Sequence, residues 1–208
     1  MKILVLHGYY QSSDIISKSI HKLFPAKEIK AHNLEFVIPN GTTEIVTEET
    51  DPETGILQKV IKYGWWPHPK NGSPIGCLQQ IFEKHEYTNV NLAIEQVLPL
   101  LSDIDVVIGF SQGAVFATIL LGKRLLPKCQ LAILLSGSDI MDHRYLPKYQ
   151  IEIKSVHFMG QKDTLVDCVE SLKLAEHYHQ AEIENHQWGH VIPTSAKFRN
   201  RLLALMLH

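Results

Sequence analysis

The sequence predicts an α/β fold: a mainly parallel sheet of about six strands with helices on both faces. Three observations support this prediction. Short β-rich runs alternate with longer amphipathic segments along the 208 residues. The chain opens on a continuous apolar run from Ile3 to Leu6. A Gly-x-Ser-x-Gly pentapeptide, residues 109–113, stands between a second apolar run and a helix-like segment.

Each element follows from the spacing of apolar residues. Strands are predicted over residues 3–6, 34–38, 104–108, 131–135 and 156–159, with a short strand near Ile183. Helices are predicted over residues 12–24, 88–101, 112–126, 166–178 and 194–207, and Ser12 or Ser13 can cap the first of them. The length and this alternation indicate one domain over residues 1–208.

Residues 41–77 interrupt the alternation. The part up to Gly55 is polar and acidic, and the part from Trp65 onward is rich in Trp, Pro and Gly. Insertions of this length in compact domains are usually functional or mobile. We therefore expect an irregular insertion that forms part of a substrate pocket.

Composition narrows the classes of function. A formal net charge of -2 gives no electrostatic reason to expect a nucleic acid or an anionic membrane as partner. No apolar run is long enough to span a bilayer, and the N-terminal run is too short for a signal peptide. Cys77, Cys129 and Cys168 are widely spaced and odd in number, which is typical of reduced thiols in a cytoplasmic protein.

The pentapeptide Gly109-Phe110-Ser111-Gln112-Gly113 is typical of the nucleophile elbow of α/β-hydrolases, because it lies between a strand and a helix. The elbow lifts the serine hydroxyl above the sheet and directs a helix N-terminus at the reacting carbonyl. Because the chain begins directly at the first strand of such a fold, the prediction is an α/β-hydrolase of minimal size.

A serine nucleophile needs a base, and α/β-hydrolases supply the residues in the order Ser, acid, His. Asp163 follows an apolar strand, and His190 lies beside Gly189 between the last strand and the last helix. Both positions fall at the carboxyl ends of strands, where sites of open α/β sheets form. We therefore predict a triad of Ser111, Asp163 and His190.

Three residues compete with these assignments. Asp139, after the preceding strand, is the alternative acid, whereas Asp167 is more typical of the first turn of a helix. His186 is the alternative base, although it falls within or at the end of a strand.

The oxyanion hole is expected to use the backbone N–H of Gln112 and an N–H of the loop after the first strand. Tyr9 is the first choice for that second donor and Tyr10 the second. His7 precedes the serine, and we expect it to support the loop by hydrogen bonding.

The other motifs and residue pairs give weaker evidence for a function. No phosphate-binding glycine motif is present, and His177 and His179 have the wrong helical spacing for a shared metal, so neither cofactor nor metal is expected. The pair Trp65-Trp66 fits a core anchor as well as it fits the lining of an acyl pocket.

The chain resembles the FSH (ovarian-cancer-gene-2-like) family of serine hydrolases over nearly its whole length. The similarity is carried by blocks that match in order. They are residues 4–12 (LVLHGYYQS), the pair Trp65-Trp66, the helix before the elbow, residues 109–114 (GFSQGA), residues 160–166 (GQKDTLV) and residues 189–193 (GHVIP). Two departures stand out, namely Tyr63-Gly64 where the family often has an arginine, and Gln187-Trp188 where it usually has a histidine and a glycine.

The resemblance implies a serine esterase that acts on small-molecule or lipid-like acyl substrates without a cofactor. Tyr10, Trp65, Trp66 and Val191 are the residues expected to contact substrate. An acyl-protein thioesterase or a lysophospholipase is the alternative enzyme. A non-catalytic binding module with the same fold is the alternative outside catalysis.

Overall fold

One six-stranded sheet lies between two layers of helices in this computed structural model, which describes residues 1–67 and 86–207. The strands are β1 (Lys2–Leu6), β2 (Glu35–Val37), β3 (Thr43–Thr50), β4 (Leu57–Gly64), β5 (Val106–Phe110), β6 (Leu131–Leu135), β7 (Lys154–Gly160) and β8 (Ala181–His186). The helices are α1 (Ser13–Leu23), α2 (Ala26–Ala31), α3 (Val90–Val97), α4 (Gln112–Gly122), α5 (Cys168–Ala175) and α6 (Ala196–Leu207).

The strand order β2-β1-β5-β6-β7-β8 is parallel throughout, which confirms the predicted sheet. Side chains alternate between its two faces, as the pleat of a strand requires. Ile3 and Val5 join the core beneath α1 and α6, whereas Leu4 and Leu6 join the core beneath α3, α4 and α5. Both faces are therefore buried, and this explains the continuous apolar runs in the sequence.

The chain reverses its direction of travel across the sheet at β1. After β1 it crosses to β2 on one side, and it later returns to β5 on the other side. The loop after β1 leads to α1 on one face, and the loop after β5 leads to α4 on the opposite face. Open α/β sheets bind ligands in the crevice between such diverging loops.

The prediction of an irregular insertion is wrong for residues 43–64. These residues form an antiparallel hairpin in which Thr43 pairs with Gly64 and Thr50 pairs with Leu57. The turn is closed by Asp51, whose Oδ1 accepts the N–H groups of Glu53 at 3.0 Å and Thr54 at 2.7 Å. Exposure alternates along β3 with the period of two that a strand shows, but the apolar residues Ile45 and Val46 are adjacent, so the sequence itself shows no such period. Residues 68–77 of the predicted insertion, Cys77 among them, lie outside the described residues.

Smaller differences from the prediction concern the helices. One short helix that follows Pro25, α2, was not predicted from the sequence. The helix predicted over residues 88–101 is α3, which ends at Val97 and continues as one 3₁₀ turn, Leu98–Leu100. Pro99 lies in that turn, and its missing N–H and fixed ring oppose a longer α-helix.

Gly113 allows α4 to begin in contact with the end of β1. A Cβ at this position would lie 2.1 Å from the carbonyl oxygen of Leu6 and 2.6 Å from that of His7. Both atoms belong to backbone, so they cannot move aside as a flexible side chain would. The glycine therefore brings the elbow helix against the first strand and, with it, the elbow against the loop after β1.

His7 and His157 are buried in the core in the neutral state. His7 is fully buried, and burial lowers its pKa to about 4 against the opposing hydrogen bond to the carbonyl of Gly8. His157, also buried, has its pKa lowered to about 4 by burial and by the nearby His177.

No helix in the described part of the chain has the length and apolarity needed to cross a membrane.

We expect Gly113→Ala to reduce the free energy of unfolding by about 3 kcal/mol or more, because the added methyl overlaps backbone atoms. Urea denaturation monitored by circular dichroism measures the loss. The control is Gly55→Ala in the hairpin turn, where φ is +69° and no atom lies within 4 Å of the added carbon. That change should cost only about 1 kcal/mol for the left-handed backbone. Equal losses in the two variants would contradict the packing argument.

The buried imidazole of His157 should make the fold less stable in acid. Its folded pKa lies below its unfolded value of about 6.5, so the unfolded chain binds the proton first, and stability is lost as the pH falls from about 6.5 to about 4. At pH 4, the buried imidazole of His157 should lower the free energy of unfolding by about 3 kcal/mol relative to pH 7. Urea midpoints at pH 7 and pH 4 for wild type and His157→Asn test this. An equal pH dependence in both proteins would refute it.

Candidate active site

The elbow around Ser111 has the strained backbone that its sequence predicts. Ser111 has φ 53° and ψ -120°, a conformation that side chains rarely adopt, and α4 begins at the next residue. Its N–H donates to the carbonyl of Leu135 on β6 at 2.9 Å, and its carbonyl accepts the N–H of Ala114 at 2.9 Å. A Cβ on Gly109 would lie 2.6 Å from the Cα of Ala114, so this turn requires glycine.

The loop after β1 passes directly beside the elbow. A Cβ on Gly8 would lie 3.2 Å from the Cβ of Ser111 and 3.1 Å from the ring of Phe110. The N–H of Gly8 donates to Oε1 of Gln11 at 2.9 Å, which closes the loop on itself. The loop predicted to supply the second oxyanion donor therefore contacts the predicted nucleophile.

Asp163 and His190 form a hydrogen-bonded pair whose side chains are little exposed. Nδ1 of His190 donates to Oδ2 of Asp163 at 2.8 Å, and the exposed fractions of the two side chains are 15% and 1%. Oδ1 of Asp163 accepts the N–H groups of Leu165 and Val166, each at 2.9 Å. Both carboxylate oxygens are thus hydrogen-bonded, and the carboxylate fixes the imidazole with its proton on Nδ1.

The backbone joins the loops that carry this pair. Beyond the ends of β7 and β8, the N–H of Gln161 donates to the carbonyl of His186 at 2.8 Å, and the N–H of Lys162 donates to that of Trp188 at 3.2 Å. A Cβ on Gly160 would lie 2.7 Å from the carbonyl oxygens of Trp188 and Gly189. The acid and the imidazole are consequently placed as one unit.

Phe110 connects this unit to the elbow, and the sequence analysis had not assigned it a role. Its ring lies 4.9 Å, centroid to centroid, from the imidazole of His190. Phe110 directly precedes Ser111, so the contact brings the imidazole beside the elbow. Among the hydrogen bonds of the described residues none joins His190 to Ser111. Hydrogen bonds of this kind are often long without substrate and shorten in the reacting complex.

Electrostatics keep Asp163 ionised. Burial alone raises the pKa of a carboxyl group, but here the hydrogen bond from His190 and the N–H groups of Val166 and Leu165 outweigh burial. The pKa of Asp163 therefore lies below its ordinary value. An ionised carboxylate at this position stabilises a protonated imidazole.

His7 occupies the core beneath the loop after β1. Its Nδ1–H donates to the carbonyl of Gly8 at 2.7 Å, and its Nε2 accepts the N–H of Gly41 at 2.9 Å. Accepting at Nε2 requires a neutral ring, in agreement with the lowered pKa. His7 therefore links the loop to the start of the hairpin and is buried away from any substrate.

The competing residues have other partners. Asp139 accepts a hydrogen bond from Nε2 of His177 at 2.8 Å, and Asp167 caps α5 by accepting the N–H of Glu170 at 3.0 Å. His186 is buried, and burial lowers its pKa against the charge of Asp163. Neither of its ring nitrogens has a hydrogen-bond partner among the described residues.

The four residues expected to contact substrate divide into two pairs. Trp65 and Trp66 are 0% and 6% exposed and belong to the hydrophobic core, which favours the interpretation as core anchors. Val191, by contrast, is 46% exposed on the His190 loop. Tyr10 has a positive φ of 64°, and the ammonium of Lys62 lies 4.3 Å above its ring.

In the part of the chain that the structure describes, no cluster of His, Cys, Asp or Glu could hold a metal ion. The arrangement present there can support nucleophilic acyl transfer through a serine and an oriented imidazole.

Comparison with known families identifies the chain. The family described as serine hydrolase (FSH1) matches residues 1–202. The chain belongs to the FSH1 serine hydrolase family. Like relatives named esterases, this FSH1-family chain is an enzyme of the serine hydrolase class.

Two relatives differ in how much of their own length this chain covers. It is 24% identical to esterase OVCA2 of Xenopus tropicalis, over 94% of this chain and 87% of the relative. It is 26% identical to a dihydrofolate reductase of Schizosaccharomyces pombe, over 99% of this chain but only 47% of the relative. The chain thus spans about half the length of that protein.

Two solved structures share the fold of this chain. YahD with malic acid superposes with a TM-score of 0.66 at 14% identity, covering 98% of this chain and 92% of YahD. Zea mays acyl-protein thioesterase 2 superposes with a TM-score of 0.56 at 15% identity, covering 99% and 94%. These likenesses establish an α/β-hydrolase fold.

The hydrogen bond from His190 to Asp163 predicts a specific imidazole tautomer. In the neutral wild-type protein the proton should lie on Nδ1 of His190, where a long-range ¹H–¹⁵N NMR spectrum detects it. Asp163→Asn should move that proton to Nε2, because the amide nitrogen can then donate to Nδ1. The matched control is Asp139→Asn, which should alter only His177. A tautomer of His190 that is unchanged in Asp163→Asn would contradict the pairing.

Proposed function

We propose that this FSH1-family enzyme hydrolyses carboxylic esters of small or lipid-like acyl substrates through an acyl-enzyme intermediate on Ser111. The observation that carries the proposal is the hydrogen bond of 2.8 Å from Nδ1 of His190 to Oδ2 of Asp163, with the imidazole packed against Phe110 beside the strained elbow. A serine raised on a turn and an imidazole oriented by an ionised carboxylate are the parts that acyl transfer needs.

In the proposed reaction Oγ of Ser111 attacks the ester carbonyl carbon while Nε2 of His190 takes the hydroxyl proton. Asp163 holds the proton on Nδ1 and stabilises the imidazolium that forms. The tetrahedral intermediate collapses, the carbon–oxygen bond to the alcohol breaks, and His190 returns the proton to the leaving oxygen. Water then repeats the sequence, releasing the carboxylic acid and Ser111.

We assign the negative oxygen of the intermediate to the N–H of Gln112 and the N–H of Tyr9. Gln112 is the first residue of α4, so its N–H lies at the positive end of the helix dipole. Tyr9 follows Gly8, which contacts Ser111. Preorganised donors of this kind contribute most when water is excluded, and each commonly accounts for about a hundredfold in turnover.

The substrate is proposed to be a small-molecule ester, with Val191 and Tyr10 as the predicted residues nearest the entrance. The proposed reaction draws its nucleophile, base and oxyanion donors from the chain itself, so it needs no cofactor. We also propose a cytoplasmic location, since Cys129 and Cys168 are free thiols.

An acyl-protein thioesterase is the second candidate, because Zea mays acyl-protein thioesterase 2 shares the fold. A lysophospholipase is a third reading of the same chemistry. Oxyester and thioester substrates with matched acyl chains separate the first two, and a lysophospholipid separates the third. Faster turnover of the oxyester supports the proposal, whereas a large preference for the thioester would replace it with the thioesterase.

A fluorophosphonate probe should label the wild-type protein at Ser111 and should fail to label Ser111→Ala. Ser138→Ala, a serine in the loop after the neighbouring strand, should be labelled like wild type. Wild type and Ser138→Ala should also hydrolyse p-nitrophenyl esters, and a series of increasing acyl length defines the acyl preference. Loss of Ser111 should reduce turnover by about a thousandfold or more. An unlabelled, inactive wild type would indicate a non-catalytic binding module.

A further inference from the structure

Both polar atoms of the Gln112 side chain form hydrogen bonds. Its Oε1 accepts the N–H of Trp65 at 2.8 Å, and its Nε2 donates to the carbonyl of Trp66 at 3.0 Å. The residue is 8% exposed, so both hydrogen bonds form away from water. Only one orientation of the amide satisfies both partners, because a flipped amide would oppose two donors and two acceptors.

The segment that Gln112 holds also contacts the loop after β1. We call residues 63–66 the tryptophan segment. The indole Nε1 of Trp65 donates to the carbonyl of His7 at 2.8 Å, and the N–H of Tyr63 donates to that of Gln11 at 2.6 Å. A Cβ on Gly64 would lie 2.6 Å from the ring of Tyr9, so this ring packs directly against the segment.

The indole of Trp65 is held rigidly between two other rings. It stacks on the imidazole of His7 at 4.9 Å and on the ring of Phe116 in α4 at 4.6 Å, centroid to centroid. The tryptophan segment is therefore a bridge with one end on the loop after β1 and the other on the first residue of α4. These are the two pieces of backbone that carry the assigned oxyanion donors.

We propose that the side chain of Gln112 is a positioning residue that sets the distance between the two oxyanion donors through the tryptophan segment. This inference rests on the proposed function. The amide fixes the first turn of α4 relative to the segment, and the indole of Trp65 fixes the loop relative to the same segment. Small displacements of catalytic groups reduce turnover strongly, because the donors must meet the oxyanion as it forms.

The test uses Gln112→Met, which keeps the length of the side chain and removes both hydrogen bonds. It should lower kcat by about tenfold or more while KM changes less than about threefold, since the lost interaction acts in the transition state. A reversible boronic acid, whose tetrahedral adduct with serine places an oxygen among the donors, should bind more weakly by a factor close to the loss in kcat/KM.

Gln112→Glu adds a readout that a purely structural role would not change. When protonated, the carboxyl group can accept from Trp65 and donate to Trp66 as the amide does. When ionised, it cannot donate. The ratio of its kcat to that of wild type should therefore rise as the pH is lowered from 7.5 to 5.5, whereas the ratio for Gln112→Met should stay constant.

Thr118→Val is the matched control. Thr118 is buried in the same helix and hydrogen-bonds to Tyr178 at 2.9 Å, with no contact to the tryptophan segment among the hydrogen bonds of the described residues. It should lower the melting temperature and leave kcat near the wild-type value.

Two results overturn the inference while the proposed function stands. One is an active wild type with kcat of Gln112→Met within about twofold of it, and the other is an equal loss of kcat in Thr118→Val. A wild type that the fluorophosphonate probe does not label would overturn the proposed function and this inference with it.

Discussion

The close approach of α4 to the end of β1 is the constraint on which the rest of this structure depends. It exists because Gly113 presents no Cβ to the carbonyl groups of Leu6 and His7. The approach sets the first turn of α4 against the loop after β1, at the point where the chain changes direction across the sheet. The elbow and the loop after β1 are held side by side by that contact.

Two networks of hydrogen bonds converge on the elbow from opposite sides. On one side the backbone of the β7 and β8 loops places Asp163 and His190 as a unit, which Phe110 meets with its ring. On the other side Gln112 and the buried Trp65 hold the hairpin and the loop after β1. A site supported from both sides loses little entropy on ordering for reaction, which is the physical basis of preorganisation.

The histidines show how environment assigns different roles to one residue type. His7 accepts a backbone N–H in a dry core and is neutral, and it supports a loop. His190 donates to an ionised carboxylate and has its other nitrogen available for a proton. His177 also pairs with a carboxylate, that of Asp139, but it does so through Nε2 rather than Nδ1 and lies just past the C-terminal end of α5. Chemistry therefore follows from location as much as from pairing.

Much of the fold could be predicted because its signals are local. The buried strands show as apolar runs, and the elbow shows as glycines on either side of a serine at a strand–helix junction. The hairpin at residues 43–64 was missed because polar residues occupy both faces of β3 and its two apolar residues are adjacent, so no period of two appears in the sequence. The role of the Gln112 side chain was missed because its partners lie 46 and 47 residues away, and no local pattern reports such a distance.

By itself the sequence determined the order of the strands of the main sheet and of the longer helices, the turn at Ser111 and the rim on which Asp163 and His190 were predicted to emerge. These depend on neighbouring residues and on the rule that parallel strands end at one edge. Only the tertiary structure decided which carboxylate pairs with which imidazole, and that Trp65 and Trp66 lie in the core. Such choices depend on how distant segments exclude water from one another, and that packing is a property of the whole chain.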